Sequence, residues 1–529
     1  MPDPCRTPDR RRPQVCWVVP RRRRAYAQRD HNVTHSSAVG REVSQATGKY
    51  MASRRQAEAR FGVATRADLA ATARPAAASA LTRTRPAVWQ APFSILARVR
   101  RSAWARRGPH PDGGRFAVNN IDVAVIGLGV TGLPMAIAAA NSGMSVVGVD
   151  ADPRRVGELR AAPPVPRLRV RLAGAVAPTA GVHLLCVPTP PGGDDGADLA
   201  PLSLACRAVG RAVRRGGLVV VQSTCPPGTV EGRVARRLAD ASGLAPGVDF
   251  HLAHAPDRID PGNQSLPATR IPRVVGGLTP RCTEVAAAFM ARLVERVVPV
   301  STCRTAEFVK TFENTFRLVN ISLVNELAEL CRSWGVEVGE VLDAAATKPF
   351  GFLPHRPGIG AGGACIPVVP GFLSSGARRV GVRTEVVDAA LAVNEVMPAR
   401  VVARLQEALA ARGMILRGRR VLVVGVCYKP DVADVRQSAA VRVLDRLRLE
   451  ASVCYHDPLV PLLCLPDGSV LRSTPLAELD GFDLAVVLTR HAGLAESLRG
   501  ARIPVVDMAD GQARWISPSG PRDQETQAG

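Results

Sequence analysis

The sequence predicts an α/β protein with two doubly wound parallel-sheet domains joined by a long central helix. Three observations carry this expectation. From Ile121 an apolar run, IDVAVIGLG, ends in glycines and opens a small-residue helix, LPMAIAAANSG, before a second run, MSVVGVD, ends at Asp150. Over 305–345 apolar residues recur at three- and four-residue steps, the period of one long helix. From GRRVLVVGVCYKP onward a second alternation of strand and helix begins. Strands alternating with helices belong in a parallel sheet covered on both faces.

Residues 1–117 hold 24 Lys+Arg against 7 Asp+Glu, and the rest of the chain holds 45 against 39. The net charge of +23 therefore sits mostly in that first segment. Its RRRRAY and RVRRSAWARR runs lack a pattern that would bury a core, so it reads as a disordered Arg-rich segment. A tail for nucleic acid or an acidic surface, a transit peptide, and a translation start near Val118 are three accounts of it. The third fits the change to ordinary protein sequence after Asn119 and speaks against a nucleic-acid partner.

The expected units after it are a dinucleotide-binding domain over 118–303, a central helical domain over 304–412 and a second α/β domain over 413–516. A polar, disordered tail follows over 517–529. The 529 residues suffice for these cores. No run of 18 apolar residues suggests a membrane span. The 12 cysteines are scattered without CxxC spacing, which indicates neither a zinc site nor a disulfide framework. No metal is expected, and the location expected is cytoplasmic, with reduced thiols.

Gly127, Gly129 and Gly132 follow a strand and open a helix, a Rossmann-like dinucleotide fingerprint. The first glycine permits a tight turn, the second lets the backbone approach a pyrophosphate, and the third allows close helix–strand packing. Val130 and Thr131 within the turn, and Arg155 beyond it, are further candidate cofactor contacts. Asp150 is placed at the end of the next strand to accept ribose hydroxyls, which favours NAD over NADP. A chance glycine loop is the bland alternative, and the flanking strands and the acid argue against it.

Only four of the 69 basic residues are lysines: Lys49, Lys310, Lys348 and Lys429. Where arginine prevails, a retained lysine points to a site that needs a compact ammonium. Lys310 and Asn314 are four apart and share a helix face, so they are candidates to stabilise an oxyanion. A solvated lysine beside a surface asparagine is the plainer reading. Cys365 lies in PGIGAGGACIPVVP, where Gly358, Gly360, Gly362 and Gly363 suit close backbone approach to a ligand. A thiol held there, with a cation or N–H groups to favour the thiolate, could capture an aldehyde. A buried core cysteine is the alternative.

From about Ile121 to Gly511 the chain resembles the UDP-glucose/GDP-mannose dehydrogenase family, and most of all its UDP-N-acetylglucosamine 6-dehydrogenase branch. VIGLGVTGLP, CVPTP, STCPPGT, APDRIDPGN, VKTFENTFRLVNISLVNELA, AATKPFGFLPHRPGIGAGGACIP and GVCYKPDVADVRQS carry the resemblance. It implies NAD-dependent oxidation of the C6 hydroxymethyl of a UDP-hexose to a carboxylate, with two NAD per turnover; the length of the central helix suits a homodimer built on it. By position, Cys365 would form a thiohemiacetal and then a thioester. Lys310 and Asn314 would hold the oxyanion and a water, and Thr224 would contact that water or the cofactor. Asp257 would be the base for thioester hydrolysis, and Thr189 would lie by the nicotinamide. Lys429 and the 352–360 loop, with Phe352, Gly358 and Gly360, would bind the nucleotide sugar, and Arg436 would edge that site.

The chain departs from the family pattern at several positions. Val369 stands where an aspartate is usual, Asp257 where a glutamate is usual, and Ala364 where the branch has a histidine. The stretch between Asp150 and Cys186 is short, with room for a reduced strand and little else. A positioned carboxylate commonly supplies about 10²–10⁴-fold in rate, which valine cannot. A homologue that binds NAD and a UDP-sugar without completing the oxidation is therefore the alternative. A simple Rossmann hydroxyacid dehydrogenase fits less well, because it lacks the second α/β unit and the cysteine loop.

Overall fold

A computed structural model describes residues 121–516 apart from 194–195, 264 and 499. The Arg-rich segment, a start near Val118 and the tail 517–529 lie outside the described residues. β1 (Val123–Ile126) and β2 (Val146–Asp150) are valine-rich and buried almost throughout, as central parallel strands require. α1 (Gly132–Asn141) joins them. α2 (Pro153–Ala161), capped where the Asp152 carboxylate accepts the Arg154 N–H, leads to β3 (Leu168–Leu172). There follow β4 (Val182–Leu185), α3 (Ala200–Gly210), β5 (Leu218–Val221), α4 (Ala235–Ser242), β6 (His251–His254), β7 (Arg273–Gly277), α5 (Pro280–Met290) and β8 (Val297–Val300).

The sheet order is β3-β2-β1-β4-β5-β6-β7-β8, parallel except where β6 meets β7. Chain direction through the order reverses between β1 and β4, the switch point at which such sheets take ligands. β3 pairs with β2 over all five residues. The short 150–186 connection thus keeps a full strand, contrary to the reduced one expected, and lacks only a helix between β3 and β4.

Thr302 caps α6 (Cys303–Ser333) by accepting the Thr305 N–H. At 31 residues it spans about 46 Å. The single helix expected over 305–345 is two, because α6 stops at Trp334 and α7 (Val338–Ala346) begins afresh. Gly335 takes φ 67°, its N–H bonds Arg332 O at 3.2 Å, and the Val336 N–H bonds Cys331 O at 2.9 Å. That bond pair is a Schellman stop. The cysteine loop runs into α8 (Val369–Arg379), and α9 (Glu385–Ala410) then packs on α6.

The last domain comprises β9 (Arg420–Val424), α10 (Ala439–Leu447), β10 (Ser452–His456), the hairpin β11 (Leu462–Cys464) and β12 (Val470–Arg472), β13 (Leu484–Val487), α11 (Leu494–Leu498), β14 (Val505–Asp507) and β15 (Arg514–Ile516). Its sheet order is β10-β9-β13-β14-β15, antiparallel only at β14–β15, with a second switch point between β9 and β13. The three-residue strands β11, β12 and β15 are too short to show a period, which is why the sequence did not announce them. Cys454 and Cys464 are disulfide-bonded, which corrects the expectation of thiols alone, and the other described cysteines are free. No helix among the described residues is long and apolar enough to cross a membrane.

β7 meets the start of α6 at a point where only glycine fits. A Cβ on Gly276 would lie 2.0 Å from Thr302 O. Gly276→Ala should therefore cost about 1–3 kcal/mol of stability, read from the urea midpoint.

Candidate active site

Each glycine of the first turn answers a different contact. A Cβ on Gly127, which has φ 94°, would come within 2.6 Å of Cys186 O, and one on Gly132 within 1.8 Å of Gly127 O. At Gly129 a Cβ would meet nothing within 4 Å, so the turn presents an open face. The next residues grip Leu128 from both sides. Asp150 Oδ2 accepts the Leu128 N–H at 2.7 Å, and Arg155 Nε donates to Leu128 O at 3.2 Å. Val130 is half exposed. The open face, the adjacent acid and the helix start fit a dinucleotide.

Thr131 points elsewhere. Its hydroxyl donates to Asp257 Oδ2 at 2.6 Å, while Asp257 Oδ1 takes Arg273 Nη1 at 3.3 Å and the Ile259 N–H at 3.2 Å. Asp257 is thus tied to the cofactor turn and to a fully buried arginine, a residue that sequence reasoning missed. Thr189 donates to Thr224 O at 2.6 Å, so CVPTP and STCPPGT are laced together at the carboxyl ends of β4 and β5.

α6 brings the next layer. The Glu307 side chain is wholly buried and accepts the Gly228 N–H at 2.6 Å and the Val230 N–H at 2.8 Å. Burial pushes its carboxyl up to about 8, against the pull of those two donors. One turn on are Lys310 and Asn314, 8% and 7% exposed. Asn314 Nδ2 has no partner, and Lys310 makes no hydrogen bond or ion pair among the described residues. A buried amide donor without a partner is costly unless something else satisfies it.

Cys365 is exposed, whereas the other described free cysteines are partly or fully buried. Its loop is pressed against the last domain: a Cβ on Gly362 would lie 2.8 Å from Tyr428 Cβ, and the Gly363 N–H donates to Arg436 O at 3.0 Å. Asn325 Oδ1 holds the Gly358 N–H at 2.9 Å, and Asn394 Oδ1 holds the Ala361 N–H at 2.7 Å. Burial pushes the Tyr428 hydroxyl up to about 12, and a charge on Cys365 adds to that rise. Arg436 is raised chiefly by its hydrogen bond to Asp434, with Cys365 contributing. Val369 is 2% exposed and belongs to the apolar core cluster of the first domain, so position 369 lies in an apolar setting.

A cavity of about 230 Å³ opens at the second switch point, lined among others by Gly358, Gly360, Tyr428, Pro430, Thr489 and Arg490. Of the expected sugar-nucleotide residues, Gly358 and Gly360 line it, while Phe352, Lys429 and Arg436 do not. Lys429 Nζ instead bonds Asp260 Oδ1 at 2.7 Å and Pro261 O at 3.0 Å, linking the two sheet domains.

Behind this cavity Cys427, Asp457 and His491 form a buried cluster with metal-like spacing. Its atoms are already satisfied. His491 Nδ1 accepts the Asp431 N–H at 2.9 Å, which leaves Nε2 to donate to Asp457 Oδ2 at 3.1 Å. Asp457 also accepts the Val426, Cys427 and Leu459 N–H groups. The cluster is a hydrogen-bonded lock, and it repeats at Val426 the grip of Asp150 on Leu128.

Comparison with known proteins decides the lineage. Models of the NAD binding, central and UDP binding domains of the UDP-glucose/GDP-mannose dehydrogenase family match residues 121–294, 304–396 and 422–508. The chain belongs to that family. Members of the UDP-glucose/GDP-mannose dehydrogenase family are NAD-dependent oxidoreductases of nucleotide sugars, and NAD is the cofactor.

Among its relatives is the UDP-N-acetyl-D-mannosamine dehydrogenase of Pyrococcus horikoshii, 36% identical over 64% of this chain and 84% of that protein. The UDP-N-acetyl-D-glucosamine 6-dehydrogenase of Pseudomonas aeruginosa is 33% identical over 65% of this chain and 84% of that protein. A solved UDP-glucose dehydrogenase from Pyrobaculum islandicum superposes with TM-score 0.62 at 29% identity, covering 78% of this chain and 97% of that one.

The Asp457 lock carries a pH signature. Burial alone would raise this carboxyl, but His491 and the Val426 N–H hold it down to about 2. A depressed folded value stabilises above the unfolded value near 3.9, and that stability is lost as pH falls through about 2. Asp457→Asn should lower stability at neutral pH by about 1–3 kcal/mol and flatten the acid limb of a denaturation series.

Proposed function

We propose that this chain is a nucleotide-sugar 6-dehydrogenase that oxidises the C6 hydroxymethyl of a UDP-hexose to a carboxylate through a thioester on Cys365. The observation that carries this is the α6 face of Lys310 and Asn314, both buried residues and Asn314 Nδ2 unpartnered, in a family member whose cysteine loop leaves its thiol exposed. Relatives named for N-acetylated UDP-hexoses support a substrate of the UDP-N-acetylglucosamine type, with UDP-glucose as the other candidate.

Gly127–Gly132, Asp150 and Arg155 would hold NAD⁺, which would supply the hydride acceptor for both oxidations, one molecule for each. The residues of the chain do the rest. The cavity at Gly358 and Gly360 takes the nucleotide, and this remote binding energy positions C6. Cys365 as thiolate adds to the aldehyde carbon. Lys310 and Asn314 donate to the oxyanion so formed, in a setting where such donors are worth most. After the second oxidation Asp257 takes a proton from the water that attacks the thioester carbon. The C–S bond breaks, the Cys365 thiolate leaves, and the carboxylate product remains.

Binding without complete oxidation is the rival reading, and the apolar setting of Val369 favours it. Mass spectrometry of products from UDP-N-acetylglucosamine and UDP-glucose with NAD⁺ separates the two. Uronate at substantial turnover supports the dehydrogenase, and its absence with both substrates supports the rival. Cys365→Ala should form no uronate, and Lys310→Met should lower kcat by about 10²–10³-fold.

The exposed apolar row Phe308, Phe312 and Phe316 on α6 supports a homodimer on this helix. Phe312→Asp should then shift the sedimenting species from dimer to monomer, whereas an unchanged species would place the interface elsewhere.

A further inference from the structure

Thr131 and Asp257 are 126 residues apart and meet at 2.6 Å, joining the helix start at the cofactor turn to the acid beyond β6. The surroundings leave this contact little freedom. The Arg273 side chain is 1% exposed, donates to Pro256 O at 3.0 Å as well as to Asp257, and would leave a buried charge unpaired if it swung away. An ionised carboxylate offers about four acceptor sites. The Arg273, Ile259 and Thr131 donors fill three of them, which leaves one, on Oδ2, in a side chain 15% exposed. A threonine hydroxyl carries a single proton. Because Asp257 receives it, that hydroxyl has none left to give a phosphate oxygen.

We propose that Thr131 is a positioning residue for Asp257 and not a ligand of the cofactor. Its hydroxyl turns the short aspartate so that the one open acceptor site meets the water that hydrolyses the thioester. The inference rests on the function proposed above and adds that the cofactor turn and the hydrolytic acid are a single hydrogen-bonded unit.

Thr131→Val keeps the shape of the side chain and removes its donor, and Thr131→Ser returns the donor. Three readouts apply to each: the NAD⁺ dissociation constant, kcat with a UDP-hexose, and the intact mass of acid-quenched enzyme during turnover. The valine variant should keep its NAD⁺ dissociation constant within about twofold of wild type and lose roughly tenfold in kcat, as for a lost hydrogen bond to a charged group. It should also accumulate an adduct on Cys365, and the serine variant should reverse both changes. In Thr131→Val/Asp257→Glu the longer acid should regain part of the lost kcat.

A tenfold rise in the dissociation constant with kcat unchanged would assign the hydroxyl to the cofactor and overturn the proposal. So would an unchanged kcat without adduct. A wild-type protein that forms no uronate would remove the function proposed above. The dissociation constants of the two variants would then still decide whether the hydroxyl serves the cofactor.

Discussion

Burying the Glu307 carboxyl would be costly without the Gly228 and Val230 N–H groups, and that mutual need fixes the STCPPGT loop to α6. The same helix holds much of what surrounds the site. Ser322 reaches Ala390 O on α9, Asn325 holds the cysteine loop at Gly358, and Glu329 engages Arg404, which in turn holds Gly511 O. Lys310 and Asn314 sit between these anchors, so contacts to both sheet domains hold the stretch of α6 that carries them.

The cysteine loop meets this rod from the other side, and its glycines are contact residues more than hinges. Gly362 and Gly363 lie where Tyr428 leaves no room for a Cβ, so the thiol two residues on is registered against the last domain. A thiolate at Cys365 would act on both Arg436 and Tyr428, which makes the last domain part of the thiol's surroundings as well as the wall of the cavity.

Local pattern made the first glycine turn, the apolar strands and the cysteine loop legible, because each depends on neighbours within a few residues. Lys310 and Asn314 were legible as a pair four apart, although their burial was not. The break at Gly335 had a visible signal, a glycine after the last turn. The apolar period resumes through Val338 and Leu342 and hid it. Arg273, His491 and the Thr131–Asp257 contact depend on partners brought together by the sheet, and no local period encodes them. Val369 stands where an aspartate is usual in the family, and the fold places that position in the apolar core. Lys429, singled out because so few lysines remain, bridges the domains through Asp260 instead of lining the cavity.

The two sheets share one device, an acid at the end of the second strand gripping the N–H of the residue after a turn glycine, at Leu128 and at Val426. In the first sheet Asp150 stays half-buried beside an open face. In the second Asp457 is sealed from solvent and plugged by His491. Among the described residues the plug leaves one open turn of this kind. The four-electron oxidation proposed above would then require exchange at that turn, with reduced cofactor leaving and oxidised cofactor arriving between the two steps.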